Sequence, residues 1–265
     1  MKIQFFIGLM SSFLFFNCSS NNEENETNPS EPQILLSKAT TVYHGNSTNP
    51  STDVVKFDYN NQKQLIKISS ENTISILEYD ATGRPSKINY QKTDGTGAYY
   101  KTCTYNGDQL TMVKTIYPTS TYNAAITYNN GKVTATSLCE SSNCTNPSTT
   151  SYSYSENNVS EENSLSDGIG GPHHFKKEFS YDNKVNPYSL INRYFRIFMG
   201  GPQFLSQNNY TTEKISKKDN TGNWNQILNI TYQIEYNNFQ LPIQVIGKDD
   251  DGNEFVRYTY EYITQ

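Results

Sequence analysis

The four cysteines offer the most chemistry in this chain. Cys18 follows a 17-residue leader in which Lys2 supplies a positive charge and Ile3 to Phe16 are apolar apart from Gln4, Gly8, Ser11 and Ser12. That run is shorter than the roughly 20 apolar residues a membrane helix needs, and it has the form of a cleaved secretory leader. Cys139 and Cys144 are separated by four residues in a polar stretch. Beyond the cytoplasm such a pair suits a bridge across a hairpin tip. Zinc is the alternative use, but no second Cys or His pair completes four ligands. Cys103 is left over at a position where an apolar side chain is expected. Asp249-Asp250-Asp251-Gly252-Asn253-Glu254 invites a calcium reading, but the EF-hand spacing would put Gly247 and Tyr258 at the ligand positions, so a hairpin turn is expected instead. His173 and His174 follow Gly170-Gly171-Pro172 in an expected loop, and neighbouring histidines aim poorly at one metal. No metal site, cofactor or catalytic constellation is read from these residues; no Gly-x-Ser-x-Gly, His-Glu-x-x-His or phosphate loop is present.

Composition bounds what must position them. Twenty-one Lys and Arg, of which Lys2 goes with the leader, face 26 Asp and Glu, so the chain is mildly acidic and nucleic acid is not expected as a partner. All 21 tyrosines lie after residue 17, where alanine occurs only six times. Aromatic and β-branched residues favour strands, and scarce alanine removes helical preference. After the leader, the nearest approach to an apolar helix is Tyr194 to Met199, which is short and carries Arg196.

One pattern recurs: an apolar residue, any residue, Tyr, a polar turn, then an apolar return. Phe57-Asp58-Tyr59 leads through Asn60 to Gln64 into Leu65; Leu77-Glu78-Tyr79 leads through Asp80 to Arg84 into Pro85. The marker tyrosines 59, 79, 105, 128, 154 and 181 are spaced 20 to 27 residues apart. Tyr236 follows after 55 residues, as expected for two units with a worn copy between Arg193 and Trp224. Residues i and i+2 share one strand face, and Asn, Asp and Gly let the chain reverse. A unit of that size is one hairpin, unable to bury its apolar face alone. The expected fold is all-β, an antiparallel meander of tandem hairpins with about 16 strands, curled into a barrel-like or wrapped sheet.

Leu14-Phe15-Phe16-Asn17-Cys18 resembles the lipobox of bacterial lipoproteins, with Asn17 in the looser Bacteroidota manner. The resemblance implies lipidation of Cys18, with the acidic stretch after it similar to an export signal for the outer face of the outer membrane. Residues 18–33 would then be a disordered, lipidated tether and 34–265 a single hairpin-repeat domain. Tyr79-Asp80-Ala81-Thr82-Gly83-Arg84 resembles the YD repeats of Rhs-type shell proteins. The Tyr-Asn and Tyr-Asp turns, with Phe179-Ser180-Tyr181-Asp182-Asn183-Lys184-Val185-Asn186-Pro187-Tyr188, resemble Bacteroidota lipoproteins of unknown function with a porin-like β fold.

Tyr194, Phe195 and Trp224 crowd the worn repeat and are the candidate ligand-binding aromatics, with capping of the core as their other use. The expected role is a non-catalytic binding or structural module of the cell envelope, attached to the membrane through Cys18, with an envelope glycan or protein as partner. Two alternatives stand: a glycan-acting enzyme with carboxylates from separate hairpins, and a membrane-spanning outer-membrane barrel. Against the latter stand diluted apolar stretches and an end, Tyr262-Ile263-Thr264-Gln265, without a terminal aromatic.

Overall fold

A computed structural model describes residues 32–45, 49–139, 144, 147–168 and 171–265. These residues form a closed, all-antiparallel barrel of 16 strands, each paired with its sequence neighbours and the last with the first. The first half holds β1 (Ile34–Tyr43), β2 (Ser51–Tyr59), β3 (Leu65–Ser69), β4 (Thr73–Tyr79), β5 (Pro85–Lys92), β6 (Tyr99–Asn106), β7 (Gln109–Ile116) and β8 (Thr121–Asn129). The second holds β9 (Lys132–Cys139), β10 (Ser148–Ser155), β11 (Asn158–Gly168), β12 (Gly171–Val185), β13 (Asn208–Lys218), β14 (Trp224–Tyr236), β15 (Pro242–Lys248) and β16 (Glu254–Thr264). Pairing of Ile34 through Tyr43 with Thr264 back to Val256 closes the ring. Both ends of the barrel chain and the turns that follow the marker tyrosines lie at one end, the terminal rim; the other turns form the far rim.

The hairpin repeat has a common construction. Asn60 Oδ1 accepts from the amides of Gln62 and Gln64 at 3.0 and 2.9 Å. Asp80 does the same for Thr82 and Arg84, at 2.9 and 3.0 Å. Asp219, Asn237 and Asp249 repeat the device, so the acidic run at Asp249 is a hairpin turn. The residue three places on turns left-handed, which is why Gly83 (φ 78°) and Gly252 (φ 80°) stand there. A bulge precedes each marker tyrosine: Asp58 pairs with Lys67 but Tyr59 with Leu65, and Glu78 with Lys87 but Tyr79 with Pro85.

A bulge leaves ladder groups unpaired, and the tyrosines supply the missing donors. Tyr79 Oη donates to the carbonyl of Leu65, Tyr105 to Pro85, Tyr128 to Leu110, Tyr154 to Val133 and Tyr181 to Val159, at 2.5–2.9 Å. Tyr59 reaches Leu36 and Tyr262 reaches Pro242 in the same way. Each phenol thus ties its own hairpin to the preceding strand. These rings are half-buried, with the side chains of Leu65, Leu110 and Val159 sealed beneath them. The closing position belongs to Tyr262, at the end of β16.

The 55-residue gap before Tyr236 holds a helical insertion in place of the expected worn hairpin. After β12 come a 3-10 turn (Pro187–Leu190), α1 (Arg193–Met199) and α2 (Pro202–Leu205). Asn186 and Asn192 cap the first two through their side chains, each accepting an amide at 2.9 Å, and Gly200 and Gly201 (φ 64° and 77°) turn the chain back. The insertion lies inside the barrel. Ile191 and Phe195 pack with Leu36, Phe57, Leu77 and Ile88 on one side, Tyr194 with Val113, Ile126 and Val159 on the other, and Tyr188 against Tyr260. The inner face is therefore apolar and aromatic where it meets these residues.

Alternate residues face outward and are largely polar. Ion pairs run across neighbouring strands there: Lys38–Glu261 at 2.8 Å, Lys67–Asp58 at 3.6 Å, Lys87–Glu78 at 3.8 Å and Lys214–Glu178 at 3.8 Å. Exposed apolar side chains interrupt this polarity, among them Ile66, Ile76, Tyr100, Leu138, Ile227 and Ile263.

Candidate functional site

The insertion does not fill the barrel evenly, and the spaces it leaves are the candidate site. The larger is a hollow of about 500 Å³ at the terminal rim, bounded by the β8–β9 and β10–β11 turns and the insertion. Residues three and four apart share a helix face, so Arg193, Arg196 and Ile197 of α1 look into it together. Lys132 and Tyr154 line it from the wall, and Asn157 and Gln207 add amides. Arg193 donates to Tyr194 Oη at 2.7 Å and lies 3.8 Å from Asp108 Oδ2. Lys132 donates to the Glu156 carbonyl and lies over the Tyr154 ring, 5.3 Å from its centroid. Arg196 differs: its Nε is buried with no hydrogen-bond partner, and it has no ion-pair partner among the described residues. Burial pushes the pKa of this guanidinium down.

The insertion is held in place from β11. Ser206 Oγ accepts from the Val159 amide at 3.0 Å and donates to Tyr181 Oη at 2.9 Å, while Asn158 Oδ1 accepts from the amides of Gln207 and Asn208. The Tyr152 hydroxyl accepts from the Gly201 amide at 3.2 Å. These bonds fix the angle at which α1 presents its arginines.

A second hollow, about 260 Å³, lies between the insertion and β2 to β5. Its walls are mainly apolar, with Val55, Phe57, Phe195, Met199 and Phe204 among them, and Asp53 and Ser75 as polar points.

Further round the wall, Lys177 Nζ sits 3.7 Å from both Glu162 Oε1 and Glu213 Oε1. Tyr232 donates to Glu213 at 2.9 Å. Burial raises the Glu162 pKa, with Lys177 pulling it down and Glu213 pushing it up. Carboxylates from separate hairpins do converge here, but the ammonium lies between them, and neither carboxylate lines the two hollows described.

The three expected ligand-binding aromatics do not form one patch. Tyr194 and Phe195 are core residues at 7 % and 4 % exposure. Both touch the hollows, Phe195 by lining the smaller and Tyr194 by holding Arg193. Trp224 is exposed at the far rim, between Lys176 and Lys218. The short helix turns Tyr194 and Phe195 toward different core clusters, and Trp224 belongs to the start of β14.

Cys139 and Cys144 are also at the far rim, their Cα atoms 5.1 Å apart and their sulfurs in bonding reach. Cys103 is unbridged and half-buried, its thiol pushed up to about 11 by burial. His173 and His174 lie in β12, paired with Ser166 and Leu165, where a loop was expected; as strand neighbours they face opposite sides of the sheet. No group of three or more His, Cys, Asp or Glu suited to a metal occurs among the described residues. Cys18 lies outside the described residues.

The sequence reading missed Arg193, Arg196 and Lys132. The one signal was two arginines in an otherwise apolar run, Arg193 to Met199.

No family model matches this chain, and no curated protein matches it. Solved structures do share its fold, among them two porin-like proteins. A porin-like protein from Bacteroides vulgatus is 9 % identical, with a TM-score of 0.59 over 87 % of this chain and 99 % of that one. A porin-like protein from Bacteroides uniformis is 14 % identical, with a TM-score of 0.53 over 87 % of this chain and 96 % of the other.

Proposed function

We propose that this protein is a cell-envelope lipoprotein, tethered through Cys18, whose barrel is a non-catalytic binding or structural module. The observation that carries the binding role is the wall of the larger hollow: cations, amides and an aromatic ring, groups that hold a ligand. The porin-like likeness fits an outer-membrane setting, and the acidic tether after Cys18 fits display on the cell surface.

The distribution of polarity favours a tethered barrel over a spanning one. A barrel that crosses a bilayer turns an apolar band outward and keeps a polar lumen. Here the apolar residues pack inside against the insertion, and ion pairs such as Lys38–Glu261 lie outside. Unpaired charge on a lipid-facing surface would cost about 2–4 kcal/mol for each Lys or Arg near the midplane.

Cys18→Ala tests both points. Cells are labelled with palmitate and fractionated. The variant is expected to lose the label and leave the membrane fraction. Loss of label with retention in the membrane fraction would favour the spanning barrel, and continued labelling would remove the lipid assignment.

The convergence of Glu162 and Glu213 favours one other reading, an enzyme acting on glycans. Hydrolysis of an envelope glycan that Glu162→Gln abolishes, with binding retained, would replace the non-catalytic reading.

A further inference from the structure

We propose that the hollow at the terminal rim is a binding site for an acidic saccharide, with Arg196 as the group that receives its oxyanion. The inference rests on the binding-module reading above and gives it a ligand class.

Three observations converge on it. First, the chain is acidic overall, yet the lining of this hollow holds Arg193, Arg196 and Lys132 and, among the described residues, no Asp or Glu. An acidic protein does not gather cations around a cleft without an electrostatic cost, and a concave wall concentrates their field. Second, the cations are not equivalent. Arg193 has Tyr194 Oη and Asp108, and Lys132 has a carbonyl. The Arg196 guanidinium lines the hollow with no side-chain hydrogen bond or ion pair among the described residues; its Nε–H is sealed, which leaves the terminal nitrogens to meet a ligand. A guanidinium presents paired donors in a fixed plane that fit a carboxylate, sulfate or phosphate. Third, the rest of the wall suits a sugar ring. Tyr154, Ile197 and Leu205 offer apolar surface and Asn157 and Gln207 offer amides for hydroxyls. At about 500 Å³ the space is within the range of small-molecule sites.

An inorganic anion would use the guanidinium alone, whereas an acidic saccharide would use guanidinium, amides and apolar wall together. The two are separable by experiment. The full mature chain in detergent is titrated by calorimetry with glucuronate, glucose 6-phosphate, neutral glucose, and inorganic phosphate and sulfate. The two charged sugars are expected to bind more tightly than the bare anions, with neutral glucose silent. Their affinity should fall as sodium chloride is raised. Arg196→Gln should weaken charged-sugar binding by at least about tenfold, the scale of a lost charge-assisted bond. Arg196→Lys should restore part of it, and Lys132→Gln, at the surface turn, should weaken it less. Equal binding of neutral glucose, salt-independent binding, phosphate or sulfate matching the sugars, or no effect of Arg196→Gln in a folded variant would each overturn the proposal. So would silence of every charged probe. Should Arg196→Gln fail to fold, the salt series and Lys132→Gln decide. A glucuronate-containing disaccharide, which carries the glycosidic bond a hydrolase would break, is added to the probes, and each is recovered and chromatographed. Recovery intact leaves the non-catalytic reading in place; conversion to product, lost in Glu162→Gln but not in Arg196→Gln, would remove that reading and leave the anion site standing.

Discussion

Tyr79→Phe isolates one rung of the tyrosine ladder. The hydroxyl donates to the Leu65 carbonyl, whose residue is 1 % exposed, so water does not replace the lost donor freely. Burial pushes the phenol up to about 12, so it remains a donor throughout the neutral range. Phenylalanine keeps the ring and its packing against Leu36 and Leu77, and removes only the hydroxyl. A net hydrogen bond contributes about 0.5–1.5 kcal/mol, and stranding a buried acceptor raises the loss, giving about 1–2 kcal/mol. For a domain of this size that lowers Tm by about 2–8 °C. The assay is urea unfolding of the variant beside Tyr100→Phe, whose ring faces outward at 37 % exposure. The control should change stability by no more than about 0.5 kcal/mol. A double variant with Tyr154→Phe, which serves a distant rung, should sum the two single losses to within about 0.5 kcal/mol. If Tyr79→Phe is as mild as Tyr100→Phe, the phenols are there for their rings and the ladder has no energetic role.

Three further outcomes are expected. Gly247→Ala should destabilise by about 1–3 kcal/mol in urea, because an added methyl would lie 2.7 Å from Tyr232 Cε1 and 2.9 Å from Ile230 and Val256; a neutral result would mean those walls yield. Asp219 is held down at about 2, first by the Thr221 hydroxyl and then by the Asn223 amide, from an ordinary value of 3.8. Its turn is therefore fully held above pH 3.8 and lost as pH falls through about 2, so the amide shifts of Thr221 and Asn223 should stay flat down to pH 3.8 and move below it; a midpoint near 3.8 would show that the carboxylate is unsupported. Non-reducing mass mapping should recover a Cys139–Cys144 peptide, with Cys103 alkylated only after unfolding; free thiols at 139 and 144 would exclude the bridge.

Much of the barrel is legible because its signals are local. The period-2 alternation, the Asn or Asp that opens most terminal-rim turns and the marker tyrosine before it all lie within one hairpin. They fix strand number and the inward face, but not the ring: a sheet so long can also curl or split, and only the pairing of β1 with β16 shows that it closes. The insertion is less legible. Arg193 to Met199 is too short for a helical period to emerge, and it is apolar on several sides because it touches the barrel wall in several directions. The cationic hollow depends on that insertion meeting Lys132 and Tyr154 from far along the chain, so no spacing announces it. Glu162, Lys177 and Glu213 sit at inward positions of β11, β12 and β13, and only the register reveals that three charged residues share the interior.

The ladder also governs how such a ring can change size. A hairpin arrives with a phenol that completes the strand before it and leaves a carbonyl for the phenol of the hairpin after it. Insert one whole hairpin, or remove one, and every remaining donor still finds an acceptor, provided the circumference can adjust. Half a hairpin would leave one of each unmatched and reverse the chain direction as well. The one interruption of the sequence is Tyr236, which donates to the Asp182 carboxylate instead of a bulge carbonyl. It falls where the helical insertion leaves and rejoins the wall between β12 and β13. Growth by duplication and accommodation of foreign segments are thus assigned to different places on the circumference.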